Sequence, residues 1–223
     1  MHILLTNDDG YRAVGIRMLA RKLSAFARVT VYAPLEQKST CSSSMTLRTC
    51  IRVRKIKREI EDVPIFAVDG TTADCCKIAL CSALKDDMPD MIVSGMNYGY
   101  NVGSDFLYSG TVAGALESIF FNIPAMAVSL DKNADAAIRE KACGFAAEAV
   151  QKIFIDKGFR GILNMNIPTM ETISWDKVRV SKLGIQQYDD PITAGLDPEG
   201  NSIYWIGGKM KSEAAEDEDV SLV

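Results

Sequence analysis

Apolar and polar positions switch between strand-like and helix-like spacing along the chain. Residues 3–6 form a short apolar run that reads as a buried strand. Ile16, Leu19, Leu23 and Phe26 recur at spacings of 3, 4 and 3, which marks one face of a helix. Residues 29–33 read as a second strand closed by Pro34, and residues 65–68 as a third stopped by Asp69-Gly70. Thr71 and Asp74 have capping-box spacing and open a predicted helix running to about Leu84. A strand over 91–94 follows Pro89 and runs into a stretch carrying Gly95, Gly99, Gly103 and Gly110. A helix over 111–121, a strand over 125–130, a long helix over 135–154 and a strand over 162–165 complete the rhythm.

The repeated strand–helix–strand order predicts an α/β fold: a Rossmann-like, mostly parallel sheet with helices on both faces. Two tracts break the order. Residues 47–60 alternate apolar and basic positions and predict a hairpin arm near 45–62. From about Trp175 the chain is poor in helix signals and rich in turn residues (Pro191, Gly195, Pro198, Gly200, Gly207, Gly208). The expected division is therefore a catalytic core over 1–174 and an irregular β extension over 175–223. The stretch 209–219 is highly charged and expected to be mobile.

Composition narrows the chemistry. With 223 residues, 48% hydrophobic and 24% charged, the chain is long enough for a buried core without disulfides or metal staples. A net charge of −4 with both signs mixed excludes the electrostatic footprint of a nucleic-acid duplex binder, so an anionic substrate needs local help. The opening MHILLTNDDG has too short an apolar run for a signal peptide or a membrane span, and no later run approaches ~18 apolar residues. A cytoplasmic protein without membrane association is expected. The six cysteines (Cys41, Cys50, Cys75, Cys76, Cys81, Cys143) form no C-x-x-C pair and read as reduced thiols. His2 is the only histidine, which argues against a Cys/His zinc site and a Ser-His-Asp triad. Carboxylates, hydroxyls, amides and a hard metal remain.

Ligands of a doubly wound sheet bind beyond the carboxyl ends of its strands. Three polar loops follow strands there: Thr6-Asn7-Asp8-Asp9-Gly10, the serine-rich 34–44 segment, and Gly95-Met96-Asn97-Tyr98-Gly99. Adjacent carboxylates at such an edge repel unless a cation offsets them. Mg²⁺ or Mn²⁺ takes oxygen ligands, and Asp8, Asp9, a loop serine and Asn97 supply them. The alternative for Asp8-Asp9-Gly10 is a tight turn with a helix cap. Ser109-Gly110-Thr111 opens a predicted helix, where backbone N–H groups and hydroxyls can cradle an anion; the plainer reading is an N-cap. A metal beside a phosphate cradle is the equipment of phosphoester hydrolysis. Asn164 and Asn166 are either substrate contacts or turn asparagines.

These residues match a known pattern. The chain resembles the SurE family of survival-protein nucleotidases through Ile3-Leu4-Leu5-Thr6-Asn7-Asp8-Asp9-Gly10, Val68-Asp69-Gly70-Thr71 with Asp74, and Ser94-Gly95-Met96-Asn97-Tyr98-Gly99. Tyr108-Ser109-Gly110-Thr111-Val112 with Glu117, Asn164-Met165-Asn166-Ile167-Pro168, and Tyr204-Trp205-Ile206-Gly207-Gly208 also fit. The resemblance implies a Rossmann-like core with a C-terminal β extension used in a homodimer or homotetramer. It implies one divalent metal ion per subunit, Mg²⁺ or Mn²⁺, at Asp8, Asp9, Ser39 and Asn97. The substrates it implies are nucleoside 5′- and 3′-monophosphates, and in some members short polyphosphate. Asp8 and Asp9 are then the catalytic pair, with Ser109, Gly110, Thr111 and Asn97 on the substrate phosphate.

Two features depart from the family pattern. The serine loop reads Lys38-Ser39-Thr40-Cys41-Ser42, without the glycine that usually follows the ligand serine, which leaves Ser42 open beside Ser39. The chain also ends at Val223, short of the expected tail, so part of an oligomer interface or a final strand is expected to be missing. Two rivals remain. In an aspartyl-phosphate phosphatase Asp8 would attack phosphorus, but that chemistry usually separates its carboxylates by one residue. In a non-catalytic nucleotide-binding module, bare carboxylates would repel the phosphate.

Overall fold

A computed structural model describes residues 1–57, 60, 62–186, 188–189, 191–211 and 215–223. Contacts divide the chain into two compact units, one of residues 1–101 and 106–178, the other of 102–105 and 179–223.

Among the described residues the first unit holds a seven-stranded sheet. Its strands are β1 (His2–Thr6), β2 (Arg28–Pro34), β3 (Val53–Ile56), β4 (Ile65–Val68), β5 (Met91–Tyr98), β6 (Ala125–Leu130) and β7 (Ile162–Ile167). The order is β3-β4-β2-β1-β5-β6-β7, parallel except for β3, which runs antiparallel to β4 at the edge. Strand order reverses between β1 and β5, because the chain leaves β1 toward β2 on one side and later returns to pair β5 on the other. This is the topological switch point at which doubly wound sheets bind ligands.

Alternation along β1 divides the core. Ile3 and Leu5 face helices α1 (Val14–Ser24) and α4 (Ala136–Ala149). Leu4 faces α2 (Thr72–Ile78) and α3 (Gly110–Leu116). All three side chains have 0% exposure. A central parallel strand covered on both faces reads as an apolar run, and β1 is apolar from Ile3 to Leu5. Fully burying each such side chain contributes about 1.5–3 kcal/mol.

Apart from α1, the helical stretches reach the ends that their apolar patterns suggest, but not as α-helix throughout. α1 ends at Ser24, so Phe26 packs on the core from the turn beyond it. The Thr71–Asp74 capping box is present in both directions, and the chain after α2 continues as a π-helical stretch, Ala79–Ala83. α3 gives way to a 3₁₀ segment, Glu117–Phe121, and α4 to a π-helical one, Val150–Asp156. β5 is longer than expected because a register shift against β6 carries it from Ser94 on to Asn97 and Tyr98. In the described part of the 45–62 tract, where a hairpin arm is expected, a loop leads into β3, which pairs antiparallel with the next strand, β4, at the sheet edge; residues 58, 59 and 61 lie outside the described residues.

In the second unit β8 (Tyr188–Asp189) pairs with β11 (Lys209–Met210), and β9 (Ile192–Leu196) with β10 (Ser202–Ile206), both antiparallel. Buried Asp219 accepts backbone N–H bonds from Gly103 and Gly184 at 2.9–3.1 Å. Part of the charged 209–219 stretch, residues 212–214, lies outside the described residues. Among the described residues no helix is long and apolar enough to cross a membrane.

His2 belongs to β1 and has only 4% exposure. Arg28 donates to Nδ1 at 2.8 Å, so the proton sits on Nε2, which donates to the Thr30 hydroxyl at 2.9 Å. Burial, and then the Arg28 charge, hold the His2 pKa below its ordinary 6.5. The unfolded chain therefore takes up this proton before the folded one does. His2 contributes stability that is present above about pH 6.5 and is lost as pH falls below it toward the folded value. Urea midpoints of wild type and His2→Gln across pH 5–8 should converge on the acid side, with the wild type losing more.

Candidate functional site at the sheet switch point

Three loops meet beyond the carboxyl ends of β1, β2 and β5, and backbone bonds tie them together. Lys38 N–H donates to the Asp8 carbonyl at 2.7 Å, and the Thr72 hydroxyl to the Asn7 carbonyl at 3.1 Å. The Asn7 side-chain amide closes the turn on the Gly10 carbonyl at 3.1 Å. Asp8 and Asp9 thus project from a loop whose backbone is held on both sides.

Asp8 is buried, at 4% exposure. Its carboxylate accepts the Thr111 hydroxyl at 2.5 Å. Burial raises its pKa against the opposing pull of that hydroxyl and of the Thr111 backbone N–H. The N-terminal turn of α3 therefore faces a carboxylate. Gly110 makes this approach feasible, since a Cβ there would lie 2.8 Å from the Asp8 Cβ. Ser109 caps the same turn, its hydroxyl accepting the Val112 N–H at 3.1 Å.

Asp9 is pushed up to about 6, first by burial and then by the Asp8 charge. The Tyr98 backbone, at the end of β5, opposes that rise with a hydrogen bond. Gln37 donates one amide N–H to Asp9 Oδ1 at 3.3 Å and another to the Ser39 hydroxyl at 2.9 Å. Asp9 Oδ2 and Asn7 Oδ1 are buried without a hydrogen-bond partner. Two acidic groups and an orphaned carboxylate oxygen here lack a basic partner within salt-bridge distance among the described residues. That arrangement fits a divalent cation, which supplies the missing charge and prefers oxygen donors. Among the described residues no cluster of three or more His, Cys, Asp or Glu side chains could hold a metal, so such a site must draw on neutral oxygens.

Asn97 comes to this edge through the irregularity in β5. Ser94 pairs with Ala127 and Asn97 with Ser129, so β5 carries one extra residue. Gly95 accommodates the bulge: its φ is +138°, and a Cβ would fall 2.4 Å from the Val128 carbonyl oxygen. The Asn97 amide donates to the Gly99 carbonyl at 2.8 Å, which leaves its Oδ1 as the free end.

The serine loop separates its two candidates. Ser39 shares Gln37 with Asp9, whereas the Ser42 hydroxyl donates to the Leu107 carbonyl at 2.7 Å and its N–H to the Tyr108 carbonyl at 3.1 Å. Thr40 and Ser42 hold the left-handed φ values, 58° and 50°, that a glycine would take without penalty. Asp74 secures the other end of the loop, accepting Thr46 N–H and hydroxyl bonds at 3.0 and 2.7 Å.

A family model described as "Survival protein SurE" matches residues 3–190. The chain belongs to the SurE family. A relative from Halorhodospira halophila, named "5′-nucleotidase SurE", is 40% identical over 93% of this chain and 80% of its own. Another of that name, from Thermoanaerobacter sp., is 38% identical over 100% and 87%. The solved structure of the SurE protein from Aquifex aeolicus superposes with a TM-score of 0.81, at 32% identity, covering 99% of this chain and 88% of that one.

Within this SurE chain the fold brings together Asp8, Asp9, Gly110 and Thr111 directly, and Ser39 through Gln37. Gln37 itself lies outside the residues that pattern singled out; its only signal was two positions of separation from Ser39. Asn164 and Asn166 spend their amide N–H groups on the Asn101 carbonyl. Gly110→Ala forces a methyl group into the Asp8 side chain and should destabilise the fold by about 1–3 kcal/mol, read as a lowered urea midpoint.

Proposed function

We propose that this chain is a metal-dependent phosphomonoesterase acting on nucleoside 5′- and 3′-monophosphates. The observation carrying this reading is the pair of adjacent carboxylates at the switch point, Asp8 buried and Asp9 partly buried with its Oδ2 shielded, without a basic partner among the described residues. The "5′-nucleotidase" names of relatives up to 40% identical support the substrate class. The overall reaction consumes one water and a phosphomonoester and yields inorganic phosphate and a nucleoside.

Asp8, Asp9, Ser39 and Asn97 would hold one Mg²⁺ or Mn²⁺, and the residues fit it: two carboxylates, a hydroxyl and an amide oxygen. Such an ion, when bound, neutralises phosphoryl charge and lowers the pKa of a coordinated water. The chain's own groups do the rest. Ser109, Gly110 and Thr111 orient the phosphate from the start of α3, together with Asn97. Asp9 is favoured over Asp8 for orienting the attacking water, because its Oδ2 is unengaged while Asp8 accepts from Thr111. The leaving alkoxide takes its proton from water.

Phosphate release from a panel of 5′- and 3′-nucleotides, in Mg²⁺, Mn²⁺ and EDTA, tests the proposal. Activity should vanish in chelator and return with metal. Asp9→Asn should lower kcat by about 10²-fold or more. Retention of metal-dependent turnover by Asp9→Asn would remove the assignment. Entry of ¹⁸O from water into an enzyme carboxylate during turnover would favour the aspartyl-phosphate route instead.

The second unit supports a homodimer or homotetramer. Ile192, Leu196, Tyr204, Trp205 and Ile206 stand 52–89% exposed on the two-stranded β9–β10 ribbon, which is too small to cover them itself. Light scattering should report a multiple of 24.4 kDa for the wild type and a smaller mass for Trp205→Glu/Ile206→Glu.

A further inference from the structure

One polar cluster beside the site has no role in the chemistry above. It centres on Asn101, which is buried at 8% exposure three residues past the end of β5. Its N–H donates to Asn166 Oδ1 at 2.8 Å. Its carbonyl accepts from Asn164 Nδ2 at 2.8 Å and Asn166 Nδ2 at 3.2 Å. Its own amide donates to the Ser129 hydroxyl at 2.6 Å. The Asn166 amide thus satisfies both backbone groups of one residue, and that pairing fixes which end is oxygen and which is nitrogen.

The same residues line up across the sheet. Asn97 pairs with Ser129 between β5 and β6, and Ser129 with Asn166 between β6 and β7. The segment from 97 to 101 is therefore tied at both ends to one row. Between the ends, Gly99 N–H donates to the Leu130 carbonyl at 2.8 Å, and the Gly99 carbonyl receives the Asn97 amide. Gly99, at φ +127°, contributes no side-chain restraint. Without the clamp at Asn101, the segment bearing the carbonyl that orients Asn97 would be held beyond β5 by the single Gly99–Leu130 bond.

We infer that Asn166, assisted by Asn164, is a positioning residue. It holds Asn101 through hydrogen bonds, so that Gly99 presents its carbonyl to the Asn97 amide and Asn97 Oδ1 faces the carboxylate pair. This rests on the reading of Asn97 as a metal ligand. Three side-chain donors and acceptors from β7 are spent on the backbone of one residue, and a β6 hydroxyl on its side chain, which is more than a connecting loop requires. Asn166 itself touches neither metal nor substrate and acts through Asn97.

A double-mutant cycle on the full chain tests this, with Mn²⁺ binding followed by electron paramagnetic resonance and kcat measured beside it. Asn97→Ala should weaken Mn²⁺ binding and lower kcat. Asn166→Ala should weaken Mn²⁺ binding about tenfold and lower kcat by a similar factor. In the Asn97→Ala background the same change should have less than a twofold effect. Asn164→Ala removes one donor and leaves the Asn166 pair; it should give a smaller loss, about threefold, with the same dependence on Asn97, and it serves if Asn166→Ala does not fold. Equal effects in both backgrounds would overturn the inference while leaving the site assignment standing, since they would mark a general structural role. An Asn97→Ala enzyme with unchanged Mn²⁺ affinity would overturn both.

Discussion

Two carboxylates on consecutive residues, withdrawn from water and without a basic partner, are the constraint around which this molecule is arranged. Burial drives both Asp8 and Asp9 toward protonation, and the Asp8 charge adds to that pressure on Asp9. A fold does not retain such an arrangement for stability. The surroundings respond with neutral donors: the Thr111 hydroxyl on Asp8, the Gln37 amide on Asp9, and the Tyr98 backbone. None brings a positive charge, which is what the proposed divalent ion would supply.

The sheet makes that concentration of polar groups affordable. β1 is apolar from Ile3 to Leu5, and polar character begins at Thr6, which is still fully buried. The switch point opens a crevice between the loops after β1 and β5 without breaking either core layer. The backbone of the Asp8–Asp9 loop is then restrained from the β2 side by Lys38 and from the α2 side by Thr72. Rigid loops on a rigid sheet hold the carboxylates close without charge to attract them.

Much of this was legible in the residues, and the parts that were not share a cause. Strand positions, the Thr71–Asp74 capping box and the clustering of polar loops at one edge follow from local pattern. The true end of β5 does not, because Gly95 and Met96 read as a loop until the bulge against β6 is known. The role of Asn164 and Asn166 was open between substrate and turn; the structure directs both amides to Asn101, a partner more than sixty residues away. The alternation of residues 47–60 signals an extended segment but not its partner, which is β4 at the sheet edge. In each case long-range pairing, which periodicity does not encode, decided the outcome.

The serine loop shows how a departure from family pattern can be absorbed. A non-glycine residue in the left-handed region costs about 1–2 kcal/mol, and the loop carries two, Thr40 and Ser42. Thr40 recovers little, bonding only its neighbour's carbonyl through its hydroxyl. Ser42 recovers more, with two bonds to the carbonyls of Leu107 and Tyr108, each worth about 0.5–1.5 kcal/mol. The loop shape is thereby set by tertiary tethers rather than by local preference. Those tethers end on the residues immediately before Ser109, so the segment carrying Ser39 and the segment capping α3 are ordered together. A glycine at position 40 would ease the local conformation, but it would leave untouched the coupling that Ser42 supplies. The left-handed Thr40 is therefore tolerable in this chain because the bonds that register the loop against the helix lie two residues further on, at Ser42.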